Sequence, residues 1–176
     1  MAPDLLGKVL RVELDGVVSS GRIIETEAYT ADDPASHSFR GPTPRNAAMF
    51  GPAGRLYVYL SHGIHACANV VTGAEDEGAA VLIRAIEPIE GVAAMRARRG
   101  EGRPLADGPG KLCQALGIRV SDDGIDLAIA GSRIQILDDG SPPADDPLVG
   151  PRIGISKAVD TPWRWRAALH RHDHRP

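Results

Sequence analysis

This sequence predicts a single α+β domain, and three features predict it. Residues 9–14 and 17–28 alternate apolar and polar positions around an Asp15-Gly16 turn, the pattern of a β-meander. Residues 55–71 do the same on both sides of Ser61-His62-Gly63, a second hairpin. Beyond an apolar strand at residues 79–86, the spacing changes to a helical period in two short segments. A chain of 176 residues, 43% hydrophobic and 24% charged, is enough for one ordinary hydrophobic core.

The net charge of −3 advertises no nucleic-acid or membrane partner, so any anion binding has to come from local clusters. Lys8, Lys111 and Lys157 are the only lysines among 20 basic residues, and the rest are arginine, the side chain suited to bidentate phosphate contacts. Cys67 and Cys113 form no framework pattern, which fits a reducing cytoplasm. No charged-then-apolar leader and no apolar run of about 18 residues is present, so the expectation is a soluble intracellular protein.

The most informative stretch is the strand at residues 22–28, set off by Gly21. A period of two puts Ile23, Glu25, Glu27 and Tyr29 on one face, two acids and a ring pointing together. On its own this reads as an edge strand with a solvated acidic face. Residues 30–41 form a polar loop carrying His37, Phe39 and Arg40, after which Thr43 caps a short helix with Pro44 at its first position, ended by Gly51-Pro52. In the second hairpin Leu56, Val58, Leu60, Ile64, Ala66, Ala68 and Val70 make an apolar face. Tyr57, Tyr59, His65, Cys67 and Asn69 make a polar one, with His62 at the tip, where glycine and histidine accept positive φ.

Arg84 stands in the middle of the apolar strand at residues 79–86 and therefore requires an anion: Glu25, another acid, or a ligand phosphate. Pro88 opens a helix that ends near Gly100, with Arg96, Arg98 and Arg99 in its last turn. Gly108-Pro109-Gly110-Lys111 starts a second helix, with Leu112, Ala115 and Leu116 as its buried stripe and Gly117 as its cap. A backbone phosphate could dock near that start, although the spacing is not that of a phosphate loop. Short strands follow at residues 125–127 and 132–137, then a mobile Pro/Asp-rich loop at 138–147, a last strand at 152–155, and two tryptophans, Trp163 and Trp165, packed on the domain. The tail from His170 to His174 reads as a solvated terminus.

Several of these stretches, in this order, resemble the alkyladenine (3-methyladenine, N-methylpurine) DNA glycosylase family of the mammalian type. They are Glu25-Thr26-Glu27-Ala28-Tyr29, Ala35-Ser36-His37-Ser38, Thr43-Pro44-Arg45-Asn46 with Met49-Phe50, Leu56-Tyr57-Val58-Tyr59, Cys67-Ala68-Asn69, Val81 to Pro88, and Gly108 to Leu116. The resemblance runs from about residue 5 to 165 and treats the whole chain as one glycosylase domain, with residues 166–176 as a flexible tail. It implies a curved, mainly antiparallel sheet with flanking helices and a protruding hairpin that enters the minor groove of DNA. It implies base-excision repair: monofunctional hydrolysis of the N-glycosidic bond of alkylated or deaminated purines flipped out of duplex DNA, with no cofactor and no lyase step.

The resemblance also assigns roles. Glu27 is the general base and Arg84 orients the site; Tyr29, His37 and Tyr59 stack on the flipped base, and Asn69 disfavours normal guanine. Spacing alone leaves Glu25 and Glu27 equivalent. At the hairpin tip, where many relatives carry an intercalating tyrosine, this chain has His62, which fills less space. The partner implied is double-stranded DNA bearing damaged purines, bound by a monomer with no membrane association; the location implied is cytoplasmic, at the nucleoid in a bacterium. Two rivals remain from the residues themselves: a metal-dependent hydrolase built on His37, His62, His65 and Cys67 with Glu27, and a lesion-binding protein that releases no base.

Overall fold

The longest element is strand β2, Val17–Tyr29, and the computed structural model, which describes residues 1–141 and 146–168, is laid out around it. β1 (Val9–Leu14) pairs antiparallel with its first half, from Val9 opposite Arg22 to Leu14 opposite Val17. β3 (Leu56–Ser61) and β4 (His65–Val71) form the second hairpin. β5 (Ala80–Glu90) follows the other edge of β2 from Ser20 to Tyr29 and links it to β4. β6 (Ile134–Leu137) lies outside β1. β7 (Leu148–Gly150) and β8 (Arg164–Arg166) pair with each other, and β8 lies against Glu25–Glu27, on the part of β2 that β1 leaves unpaired. The path β3-β4-β5-β2-β1-β6 is a curled antiparallel sheet, so the fold is the expected α+β class.

One face of the sheet builds the core. Leu10, Ile23, Val58, Ala68 and Ile83 pack there against Met95 of helix α1 (Val92–Arg99) and Leu112 and Leu116 of helix α2 (Pro109–Leu116), all with almost no solvent exposure. The other face carries a smaller buried cluster, Met49, Tyr57, Val71 and Ala80. The two acids reach that second face through a break in the period. β2 shifts register between Ile23 and Glu25, and again between Glu25 and Thr26. Ile23 therefore belongs to the core, although simple alternation places it on the same face as Glu25, Glu27 and Tyr29. The acidic strand is central, flanked by β5 and β8, and not a solvated edge.

Other sequence expectations are corrected locally. Pro88 does not open a helix but remains in β5 opposite Gly21, beside a register shift, the kind of irregular position where a strand tolerates proline; α1 starts after Gly91 instead. Thr43 caps no helix: its N–H and hydroxyl both donate to Asn46 Oδ1, and only Ala47–Phe50 form a 3₁₀ turn. Residues 125–127 contribute a single bridge, Arg55 with Asp126. Residues 152–155 are an irregular strap with Gly154 at φ 78°, while the strands at this end are β7 and β8. The tail at His170 to His174 and residues 142–145 of the expected mobile loop lie outside the described residues. No described helix is long and apolar enough to cross a membrane.

Gly91 carries the turn from β5 into α1 at φ 70°. A Cβ there would meet the Val18 carbonyl oxygen and, at 2.7 and 2.8 Å, Ser19 Oγ and Cα. Gly16 in the first hairpin has φ 75° with open space around it. Gly91→Ala therefore combines conformational strain with overlap and is expected to cost about 3 kcal/mol or more, whereas Gly16→Ala costs strain alone, about 1 kcal/mol. Thermal melting checks this: the first variant loses roughly 6–12 °C and the second roughly 2–4 °C.

Candidate active site

Glu27 is a charged residue with no solvent exposure, in the middle of β2. Such a group has to be supplied with donors, and three converge on it. Arg84 Nη1 and the Tyr29 hydroxyl donate to Oε2 at 3.1 and 2.9 Å, and the backbone N–H of Ile153 donates to Oε1 at 2.8 Å. Arg84 also faces Glu25, with Nε 3.3 Å from Oε1, and Glu25 Oε1 accepts from Arg164 Nη1 at 2.9 Å. The requirement that Arg84 places on the sequence is thus met by both acids of β2. An alternating row results, Arg164, Glu25, Arg84, Glu27, carried by β8, β2 and β5. Burial, followed by the charge of Glu27, raises the Tyr29 phenol above its ordinary range, so it is a donor at neutral pH.

Tyr29, Arg84 and Ile153 also line a cavity of about 1430 Å³. Glu27 itself lies just behind this wall. The volume exceeds the roughly 300–1,000 Å³ typical of small-molecule pockets, and the cavity is an open cleft rather than an enclosed pocket. The polar face of the second hairpin, with Leu82 beside it, forms the floor: Tyr57, Tyr59, Cys67 and Asn69 all line the cavity. His37 comes from the loop after β2, and its ring stands edge-on to Tyr59 with centroids 4.4 Å apart. Its Nδ1 is 2.9 Å from the Tyr57 hydroxyl. His37 is exposed as a residue, yet partial desolvation of its ring lowers its proton affinity, and burial pushes the Tyr57 phenol up to about 12. Both are neutral hydrogen-bonding groups at pH 7. The Asn69 amide nitrogen donates to the Tyr57 and Cys67 carbonyls at 3.1 and 3.3 Å, which fixes the side chain in place.

The structure thus gathers Glu27, Arg84, Tyr29, His37, Tyr59 and Asn69 around one cavity. His62 stands apart at the exposed tip of the β3–β4 hairpin at φ 51°, on the rim. His65 does not join them: it is exposed and packs its Cβ toward Gly110 at the start of α2. Among the described residues no group of three or more His, Cys, Asp or Glu side chains is arranged to hold a metal ion, and the set His37, His62, His65 and Cys67 is not brought together.

Sequence reasoning missed the strap. Ile153 supplies a donor to Glu27 through its backbone, which no side-chain motif reveals, and Arg152 is buried against Asp33 in the loop that carries His37. The one legible signal was the Arg-Ile-Gly-Ile stretch between Pro151 and Lys157, read as a strand.

A family model described as methylpurine-DNA glycosylase (MPG) matches residues 1–171. A protein of Burkholderia lata named "Putative 3-methyladenine DNA glycosylase" is 50% identical over 176 residues, covering 98% of this chain and 84% of its own. Proteins of the same name from Rhodopseudomonas palustris and Methanoculleus marisnigri are 52% and 49% identical, covering 94% of this chain each and 77% and 87% of their own. A match of this extent, spanning the strands that carry the acids, the hairpin that floors the cavity and the strap that closes it, is whole-domain homology: this chain belongs to the methylpurine-DNA glycosylase family.

Proposed function

We propose that this DNA glycosylase, acting as a monomer, takes alkylated or deaminated purines, among them 3-methyladenine, 7-methylguanine, hypoxanthine and ethenoadenine, flipped out of duplex DNA into the cavity, and hydrolyses their N-glycosidic bond. The observation that carries this reading is the Glu27 carboxylate, buried and held by Tyr29, Arg84 and the Ile153 N–H directly behind the wall of a cavity that is lined by aromatic side chains. A base inside a duplex is out of reach, and extruding it costs a few kcal/mol. Tyr29, His37 and Tyr59 repay that cost through stacking, worth about 1–3 kcal/mol per base on one aromatic face. Damaged purines pair badly and flip cheaply.

In the chemical step Glu27 takes a proton from a water molecule as its oxygen bonds to C1′ of the deoxyribose. The C1′–N bond breaks with its electron pair passing to the purine, leaving an abasic site. Arg84, tied to both acids, orients Glu27. A cationic 3-methyl or 7-methyl purine leaves without further help, whereas a neutral base needs protonation. Asn69, both amide hydrogens committed to backbone carbonyls, is a rigid stop for the exocyclic amine of guanine. Exposed Arg40, Arg45 and Lys157 line the rim, where phosphates flanking the flipped nucleotide would pass. They supply locally the positive charge that a net −3 chain lacks overall. His62 enters the minor groove at the hairpin tip and fills part of the gap.

Single-turnover excision on duplexes with one ethenoadenine, hypoxanthine or 7-methylguanine, with chelator present, tests the reading. The wild type releases free base, and Glu27→Gln binds the lesion but is slower by about 10²–10⁴-fold. Tight lesion binding with no release by the wild type would make this a recognition protein instead. Borohydride added during turnover traps no protein–DNA adduct, the hydrolytic outcome; an adduct lost in Lys157→Ala would reveal a lyase step. Lys157→Ala weakens binding to all duplexes alike and lowers the slope of log affinity against log salt by about 1. His62→Tyr holds the flipped state several-fold more tightly, read as affinity for an ethenoadenine duplex; unchanged affinity and rate would remove the tip from the mechanism.

A further inference from the structure

Two deeply buried charges lie outside the chemistry just described. The side chains of Arg152 and Asp33 are 0% and 1% exposed, and they form a two-pronged pair, Nη1 with Oδ2 and Nη2 with Oδ1 at 3.0 Å. Arg152 Nη1 also donates to the Ala28 carbonyl at 2.9 Å. The guanidinium carbon stands 4.6 Å from the centre of the Tyr29 ring and 5.3 Å from that of Trp163. Desolvating such a pair costs several kcal/mol per ion, and well-packed apolar residues in its place are often as stable. Stability alone is therefore a poor reason for its presence.

Its neighbours in the chain supply a better one. The next residue is Ile153, whose N–H donates to Glu27 Oε1, and residues 153–157 go on to line the cavity. The other carboxylate oxygen, Oε2, already accepts from both Arg84 and Tyr29. A carboxylate oxygen offers about two lone-pair sites, so Oε2 is saturated and Oε1 alone keeps a site for water. Which site that is depends on where the Ile153 amide sits. The strap holding this amide has no regular partner strand of its own between Gly150 and Arg164. Near Ile153 it is fixed by Arg152 on Asp33 and Ala28 and by Arg164 Nε on the Pro151 carbonyl at 2.8 Å, and at its far end the Trp163 carbonyl accepts from the Ala28 N–H at 3.0 Å.

We propose that Arg152 is a positioning residue for base excision: clamped to Asp33, it holds the strap so that Ile153 N–H occupies one site on Glu27 Oε1 and leaves the other for the attacking water. Arg152 touches no substrate and acts through Glu27. Asp33 lies four residues before His37, so the same clamp ties the loop of one cavity wall to the strap of the other. This inference rests on the reading of Glu27 as the base.

The test compares the wild type with Arg152→Lys and with the neutral pair Arg152→Gln/Asp33→Asn, in single-turnover excision of ethenoadenine and hypoxanthine over a range of enzyme concentrations. In both variants the limiting rate is expected to fall by about 30-fold or more, since small misplacements of a catalytic group cost up to about 10²-fold. The half-saturating concentration stays within about threefold, because the hairpin floor with Tyr59 does not touch the clamp and Tyr29 keeps its bond to Glu27. Lysine keeps a cation facing Asp33 but cannot hold both Asp33 oxygens and the Ala28 carbonyl, so Arg152→Lys carries the test where the neutral pair fails to fold. Two results overturn the proposal: limiting rates within twofold of the wild type in a folded variant, or rate and half-saturation shifting by the same factor, which is general loosening. A wild type that releases no base overturns the reading of Glu27 itself; a competent wild type with equally fast variants overturns this proposal alone.

Discussion

A carboxylate sealed from water has to be satisfied by the protein, and in this molecule that demand, at Glu27, organises three distant pieces of chain. β2 supplies the acid and Tyr29, β5 supplies Arg84, and the strap supplies the Ile153 amide. Removing any one leaves a buried charge short of a partner, a loss that costs more than the bond itself contributes. Because Arg84 is shared with Glu25, and Glu25 with Arg164, the same demand extends to β8 and explains why that three-residue strand pairs with β2 where β1 leaves off.

The curled sheet separates two duties that would otherwise compete. Its helix-covered face carries the apolar packing, and its open face carries tyrosines, an amide and ions. Strict alternation would have put Ile23 and Glu27 on one side. The register shifts around Glu25 reassign the faces partway along β2, so one strand serves the core at Ile23 and the cavity at Tyr29. The cost of ordering polar groups on the open face is offset by the packing on the closed one.

Much of this was legible in the residues. Alternation around Asp15-Gly16 and Ser61-His62-Gly63 marked the hairpins, and an arginine inside an apolar strand demanded an acid that the structure supplies twice over. The family resemblance, carried by several motifs in order, anticipated the family that the whole-chain comparison shows. What escaped was whatever depends on long-range pairing. A bulge is invisible to a period-two reading until the partner strand is known, so Ile23 was put on the wrong face. Pro88 looked like a helix start because its bulge partner, Gly21, lies 67 positions away. The strap looked like a strand because β-branched residues around a glycine carry the same local signal, and its main-chain donor leaves no mark on the sequence at all.

The strap also has a bearing on how the molecule is made. Synthesis runs from the first residue to the last, so β2 with Glu25 and Glu27, and β5 with Arg84, leave the ribosome long before residues 152–164 exist. Until then Glu27 has Arg84 and Tyr29 but lacks its third donor, and the edge of β2 at Glu25–Glu27 awaits β8. The nascent chain can bury much of its helix-covered core while the Glu27 carboxylate is still open and hydrated. Closing the surroundings of Glu27 is thus a late step, made by a segment that contributes little to the core.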